Sequence, residues 1–403
     1  MRKVAIIDAV RTPVGKMGGA LCQVAPEDLA GVVIKGLLNR TGIPCGDLDE
    51  VIFGQAKQST DAANVARVAA LRYGVAEHVP AYSVMRACGS GMQAIMNGKQ
   101  LIQAEDGEIV LAGGTENMSM APFYLRDARY GWKFGHGVLL DSNTESQPRS
   151  QPEEIYGRLS MGECSDDMAK RFGITREEQD AYALQSQKRA LAAIAGGRFN
   201  EYIVPVPYTD IQGKNHLFTT DEYPRETSME LLGKLNNVFR PDGTATAGNS
   251  SGRNDGAAGV LLMTAKKAAE YSLTPKAYIR AMSIASRHPA EFPLAPSDAA
   301  RLVLKKAGMN IEQIDLFEVN EAFSSVPLLF MRDLGISPDI VNVNGGAVSI
   351  GHPLGCSGAR IIVELLYEMQ RKHLQYGLAS ICVAGGMGTA CILELADSNG
   401  GCS

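Results

Sequence analysis

Apolar and polar positions along this chain follow two different periods, and the switches between them mark out its elements. Residues 4–7, 51–54, 81–85 and 108–112 are short runs rich in Val, Ile, Phe and Tyr, as expected of strands. Between them, 26–39, 64–73 and the stretch from Ser90 onward carry apolar residues at helical spacing. Pro26 suits a first helical turn, Glu27 and Asp28 follow it, and Gly74 closes the second helix. The same rhythm resumes from Gly256. It predicts strands at 260–263, 314–319, 379–383 and 389–395, and helices at 296–308, 321–334 and 355–370. Strands alternating with helices predict an α/β layered fold with a largely parallel sheet.

Between residues 117 and 249 the period is lost. Residues 142–154 are polar and contain Pro, which predicts a loop. One helix is clear: a Thr175 cap with Glu178 three residues on, a run to Ala195, and a stop at Gly196-Gly197. This middle third is expected to be a long lid or loop insertion over the core. Two stretches echo each other across it. Ala87-Cys88-Gly89-Ser90-Gly91 is followed by Ala112-Gly113-Gly114, and Gly355-Cys356-Ser357-Gly358 by Ala384-Gly385-Gly386. The order of glycine-rich turn, helix, buried strand and Ala-Gly-Gly recurs, and a duplicated α/β half is the simplest account. The expected division is 1–116 with 250–273 as one half, 117–249 as the insertion, and 274–403 as the other half. Residues 398–403 read as a terminal tail.

Composition narrows the function classes. Of 403 residues, 45% are hydrophobic and 21% charged, enough for a large core. Lys and Arg number 39 against 44 Asp and Glu, a net charge of −5 with no basic stripe, which argues against nucleic acid as a partner. No apolar run is long enough to cross a membrane, and the chain enters a strand at once, so no membrane anchor or signal peptide is expected. Eight cysteines contain no Cys-x-x-Cys pair. That pattern disfavours zinc and a disulfide framework and fits a reducing, cytoplasmic setting, where a cysteine is free to be reactive. No metal and no tightly bound cofactor are expected.

Four residues stand out as chemistry. Cys88 falls at a strand-to-helix turn, where free N–H groups and the helix dipole would favour a thiolate. Iodoacetamide is therefore expected to label Cys88 first. His352 lies between Gly351 and Pro353, a fixed turn geometry. Cys382 ends a buried run before Ala384-Gly385-Gly386, and Asn320 sits where a strand meets a helix. Ligands of α/β sheets bind at such strand ends.

Several motifs, in order, carry a family resemblance. They are Val10-Arg11-Thr12-Pro13, the Cys88 turn, Ala247-Gly248-Asn249-Ser250-Ser251-Gly252 with Asn254-Asp255-Gly256, Asn320 through Phe323, Gly345-Gly346 through Gly351-His352-Pro353, and Cys382 through Gly388. Over nearly its whole length the chain resembles the thiolase family, closest to the biosynthetic branch that forms acetoacetyl-CoA. The resemblance implies a layered α-β-α-β-α core of two duplicated halves, a homotetramer, and acyl-CoA substrates with coenzyme A as substrate or product. It implies that Cys88 is the nucleophile, His352 its base, and Cys382 the acid/base at the α-carbon. Asn320 would fix a water, and the backbone N–H groups of Cys88 and Ala384 would form an oxyanion hole. Ser251 and Ala247 would meet the pantetheine, Arg225 the nucleotide end, and Ser160, Met161 and Phe323 the acyl pocket. Ser160 departs from the family, which usually carries His or Pro there, and leaves chain length open. The alternatives are a degradative 3-ketoacyl-CoA thiolase, a ketoacyl-ACP synthase, which would need a second His at Asn320, and a non-enzymatic lipid-binding relative lacking one of Cys88, His352 or Cys382.

Overall fold

The computed structural model describes residues 2–396; the tail expected at 398–403 lies outside the described residues. The first unit holds strands β1 (Val4–Arg11), β2 (Glu50–Gly54), β3 (Ala81–Val84), β4 (Ile109–Asn117) and β5 (Asn254–Thr264). Its helices are α1 (Pro26–Thr41), α2 (Val65–Arg72) and α3 (Ser90–Ala104). The insertion contributes α4 (Met161–Arg171) and α5 (Arg176–Ala195), with small hairpins and short helices around them. The second unit holds β6 (Ala277–Ser286), β7 (Leu316–Val319), β8 (Tyr376–Val383) and β9 (Met387–Leu395), with α6 (Ala295–Ala307), α7 (Ser325–Leu334) and α8 (Leu354–Lys372).

The strands form one hydrogen-bonded path, β7-β8-β9-β6-β1-β5-β4-β2-β3, with Gly15–Lys16 added beside β5. Among the described residues the two units pair in it through Ala5↔Tyr278 and Ile6↔Ala277. Each unit repeats the same connectivity. In the first, β1-β5-β4 is antiparallel and β4-β2-β3 parallel. In the second, β6-β9-β8 is antiparallel and β8-β7 parallel, with Val341 bridging Phe317 where a last strand would stand. Three apolar clusters separate five layers. One lies between α1, α2 and the first unit's sheet, one around α3 and α8 between the sheets, and one under α6 and α7. This is the layered α-β-α-β-α core.

The sheet is mixed rather than largely parallel. Every residue of β4 and β5 is buried, because helices cover both sides of the first unit's sheet. A strand buried on both faces reads as a continuous apolar run whatever the direction of its neighbour. β6 was not predicted, since Arg280 and Ser283 interrupt its apolar pattern. The helix expected from 321 starts only at Ser325, because Asn320 to Ser324 form the turn that carries the site. Residues 142–154 are not all loop: Ser142–Glu145 and Glu153–Tyr156 are single helical turns, the first capped by Asp141. α4 was also missed, although Ser160 and Glu163 form a capping box at its start. The insertion is bound into the core by a buried ion pair. Arg11 on β1 forks onto Asp221 at 2.7 and 2.8 Å and reaches Glu364 of α8 at 3.1 Å.

Candidate active site

Cys88 is held at the head of α3 by a tight turn. Ala87 adopts φ 41°, unusual for a residue with a Cβ. The Ser90 hydroxyl braces it by accepting from the Arg86 N–H at 2.8 Å and donating to the Ala87 carbonyl at 2.6 Å. The turn packs on the end of β8: a Cβ at Gly89 would lie 2.8 Å from Val383 Cγ2. The Cys88 sulfur accepts from the backbone N–H groups of Ala384 and of Cys88 itself. It is the first of two places where side chains far apart in sequence converge.

The second is the turn before α8. Gly351 has φ 117°, and a Cβ there would lie 2.4 Å from Asn254 Cγ, so only glycine fits. Asn254 Oδ1 accepts the His352 N–H at 2.9 Å while its amide donates to Gly15 O at 2.9 Å. The His352 ring is buried. Its Nδ1 lies 2.7 Å from Ser357 Oγ, and that hydroxyl donates its own proton to Pro353 O at 2.9 Å. Ser357 can then only accept, which places the imidazole proton on Nδ1 and leaves Nε2 as a lone pair. Nε2 faces Asn320 Nδ2 at 3.5 Å.

Cys88 and His352 line one cavity of about 330 Å³ together with Ser160, Met161, Phe239, Ser251, Arg253 and Phe323. Cys382, at the end of β8, is fully buried and close enough to Cys88 for that sulfur to raise its cost of ionisation. The four residues singled out from the sequence are therefore neighbours, with Cys382 and Asn320 set behind the cavity rather than in its lining. Ser160, Met161, Ser251 and Phe323 also reach the cavity. Arg225 and Ala247 do not line it; both are exposed. Arg225 stacks over Tyr223 at 4.9 Å, and the Tyr223 ring in turn abuts Gly252 at the cavity edge. Cys164 is buried in the core.

The electrostatics correct one expectation. Burial pushes the Cys88 thiol up to about 11, and Lys57 with the two backbone N–H groups offsets this only in part. The helix start does not by itself make a thiolate in this site. Among the described residues, exposed Cys45 should meet iodoacetamide before Cys88. Burial, with Arg360 behind it, drives His352 down to about 3. Burial also raises Cys382. Thiol and imidazole are both neutral at pH 7.

Residues that sequence reasoning missed surround this set. Ser357 fixes the His352 tautomer. Glu321 accepts from Tyr182, Ser186, Asn342 and the Val348 N–H, pinning the loop that leads to His352. Asn143, Thr144 and Gln147 wall the cavity from the stretch read as loop. The signal for Glu321 was its place next to Asn320; the others follow no local pattern.

The sequence and the fold are shared with known proteins. The thiolase N-terminal domain model matches residues 4–266 and the thiolase C-terminal domain model residues 273–395. The acetyl-CoA acetyltransferase of Pseudomonas aeruginosa is 44% identical over 98% of this chain and 99% of its own. The Bacillus anthracis acetyl-CoA acetyltransferase superposes with a TM-score of 0.94 at 41% identity, covering 98% of this chain and 99% of that one. Human mitochondrial 3-ketoacyl-CoA thiolase in complex with CoA gives a TM-score of 0.93 at 38% identity over 98% of each chain. Among the described residues no helix is long and apolar enough to cross a membrane. The chain belongs to the thiolase family and is an acyltransferase.

Proposed function

We propose that this thiolase joins two molecules of acetyl-CoA into acetoacetyl-CoA and CoA, and runs the reverse cleavage, through an acyl group carried on Cys88. One observation carries the reading. The Cys88 thiol shares its cavity with a His352 nitrogen whose lone pair is fixed by Ser357.

In the first half-reaction His352 Nε2 takes the Cys88 proton as the sulfur attacks the thioester carbon. The carbonyl oxygen becomes an oxyanion, which donors aimed into the cavity stabilise. The carbon–sulfur bond to CoA then breaks, and the CoA sulfur leaves with the Cys382 proton while His352 keeps the one taken from Cys88. In the second, Cys382 as thiolate removes a proton from the methyl carbon of a new acetyl-CoA. That carbon attacks the acyl-Cys88 carbonyl, and the Cys88 sulfur departs with the proton held on His352, which leaves Cys382 as the thiol it began as. The N–H groups of Cys88 and Ala384 serve one oxyanion, and Asn320 with His352 the other. The names of the bacterial relatives support acetyl-CoA as substrate, and the CoA-bound relative supports CoA as its carrier. Arg225 and Ala247 are assigned to the outer part of the CoA.

Cytoplasmic location is part of the same proposal, supported by the bacterial relatives. So is a homotetramer. The hairpin of Phe123–Leu125 and Leu139–Asp141 leaves the core with Phe123, Tyr130, Phe134 and Leu139 exposed, an apolar surface that a second copy would cover. The test is Cys88→Ala, which should abolish turnover and keep CoA binding; surviving turnover would remove the nucleophile. A substrate series of rising acyl length decides between this reading and a long-chain degradative thiolase.

A further inference from the structure

Lys57 is an unusual lysine. It is 4% exposed, lies three residues beyond the end of β2, and takes no part in the reaction as derived above. Its ammonium donates to Ser142 O at 2.7 Å, to Gln147 Oε1 at 3.1 Å and to Ser146 Oγ in a short contact. Three N–H bonds and three acceptors match the protonated state. All three acceptors lie on the 142–147 stretch, and Asn143, Thr144 and Gln147 of that stretch wall the Cys88 cavity. The Lys57 backbone is anchored as well. Its N–H and that of Ala56 donate to Glu116 at 3.0 and 2.9 Å, and the same carboxylate accepts the Gly355 N–H at 2.9 Å, beside the His352 turn.

The charged and titratable groups around Cys88 are Lys57, Glu116 and the cavity-lining Arg253 from the first unit and the stretch before β5, Cys382 from β8 and His352 from the turn before α8. His352 is neutral, Cys382 is a buried thiol and Glu116 is an acid. Lys57 and Arg253 are therefore the cations in this set, and Lys57 is the one that acts on the Cys88 sulfur. We propose that Lys57 is a positioning residue of the acyl-transfer step: it holds the 142–147 wall over the cavity and supplies the positive charge that favours the Cys88 thiolate. This rests on Cys88 being the nucleophile. The two ideas fail separately, because the experiment below reads ionisation of Cys88 and not turnover.

The test compares Lys57→Met, Lys57→Gln and Lys57→Arg in the full chain. The rate at which iodoacetamide modifies Cys88, resolved by mass mapping, is followed from pH 7 to 9. Removing a nearby cation moves a thiol upward by about one to two pH units. A more basic thiolate is also a better nucleophile, so the rate at fixed pH should fall by about threefold per unit, or roughly 3- to 10-fold. Lys57→Arg keeps the charge and should alkylate within about twofold of the parent rate. Gln still donates to the Ser142 carbonyl and accepts from the Ser146 hydroxyl. Lys57→Gln should therefore slow alkylation while leaving the KM for acyl-CoA near its parent value. Lys57→Met loses both functions and should also raise KM. A folded Lys57→Gln protein with the parent alkylation profile would overturn the electrostatic role. An unchanged KM in Lys57→Met would overturn the wall. If Lys57→Met does not fold, Lys57→Gln against Lys57→Arg still decides the charge.

Discussion

Ser357→Ala is the sharpest probe of how the site is primed. The hydroxyl accepts from His352 Nδ1 at 2.7 Å only because its own proton is committed to Pro353 O. Removing it leaves a buried Nδ1–H with no acceptor, at a cost of about 1–3 kcal/mol. The ring avoids that cost by moving its proton to Nε2, which faces Asn320 and the cavity. A proton on Nε2 prevents His352 from accepting one from Cys88. Since 1.4 kcal/mol is a factor of ten, the competent tautomer should fall by about one order of magnitude or more. kcat for acetoacetyl-CoA cleavage should fall by the same factor.

Two readouts separate this from general damage. The KM for CoA should stay near its parent value, because Ser357 lies behind the imidazole and away from the cavity lining. Long-range nitrogen–proton NMR of the histidine rings should show His352 protonated on Nδ1 in the parent protein and on Nε2 in Ser357→Ala. Solution conditions near pH 7 suit the comparison, because His352 sits down near 3 and stays neutral. A folded Ser357→Ala enzyme with parent kcat would refute the tautomer argument. So would a lost kcat with the imidazole proton still on Nδ1.

The remaining predictions concern protons. With Cys88 up at about 11 and His352 down at about 3, no thiolate–imidazolium pair forms in the free enzyme. Alkylation of Cys88 should climb about tenfold per pH unit between pH 6.5 and 9, and a plateau at the acid end would show a resting ion pair instead. Burial also raises Glu116 to about 7. A carboxyl that holds its proton more tightly in the folded chain loses stability as pH rises from the unfolded value near 4.5 to about 7, by roughly 3 kcal/mol. In urea titrations Glu116→Gln should remove that fall between pH 4.5 and 7; a variant with the parent slope would show that Glu116 is not its source.

Much of the site was legible because its parts sit at the ends of buried strands, where the apolar run, the glycines and the polar residue stand side by side in sequence. Asn320 and Cys382 follow that rule, while Cys88 and His352 sit in glycine-marked turns just before a helix. Lys57 and Ser357 were illegible for a physical reason. Each works through a partner that folding brings to it: Lys57 through Ser142 and Gln147, Ser357 through a ring one helical turn back. Strand direction was lost for a related reason, since β5 must run antiparallel to both β1 and β4 and nothing in its own residues records that. Ser160 looked like a change in the acyl pocket; it is also the cap of α4, so the position serves helix geometry as well as substrate contact.

The internal echo proves informative in a shifted register. Cys88 and Cys356 look equivalent in sequence, but Cys88 precedes α3 while Cys356 lies within α8. Aligned on their helix starts, Ser90 matches Leu354, and the residue two places earlier is Cys88 in one unit and His352 in the other. α8 is longer by four residues, 19 against 15, which is where the offset arises. The two helix starts press together backbone to backbone. A Cβ at Gly91 would lie 2.8 Å from Gly355 O, and one at Gly358 would lie 2.7 Å from Met92 N. Glycine at these contacts brings the two turns closer than side chains would permit. Equivalent positions of a repeated unit are thereby set face to face, and the asymmetry of the chemistry comes from filling one with sulfur and the other with imidazole.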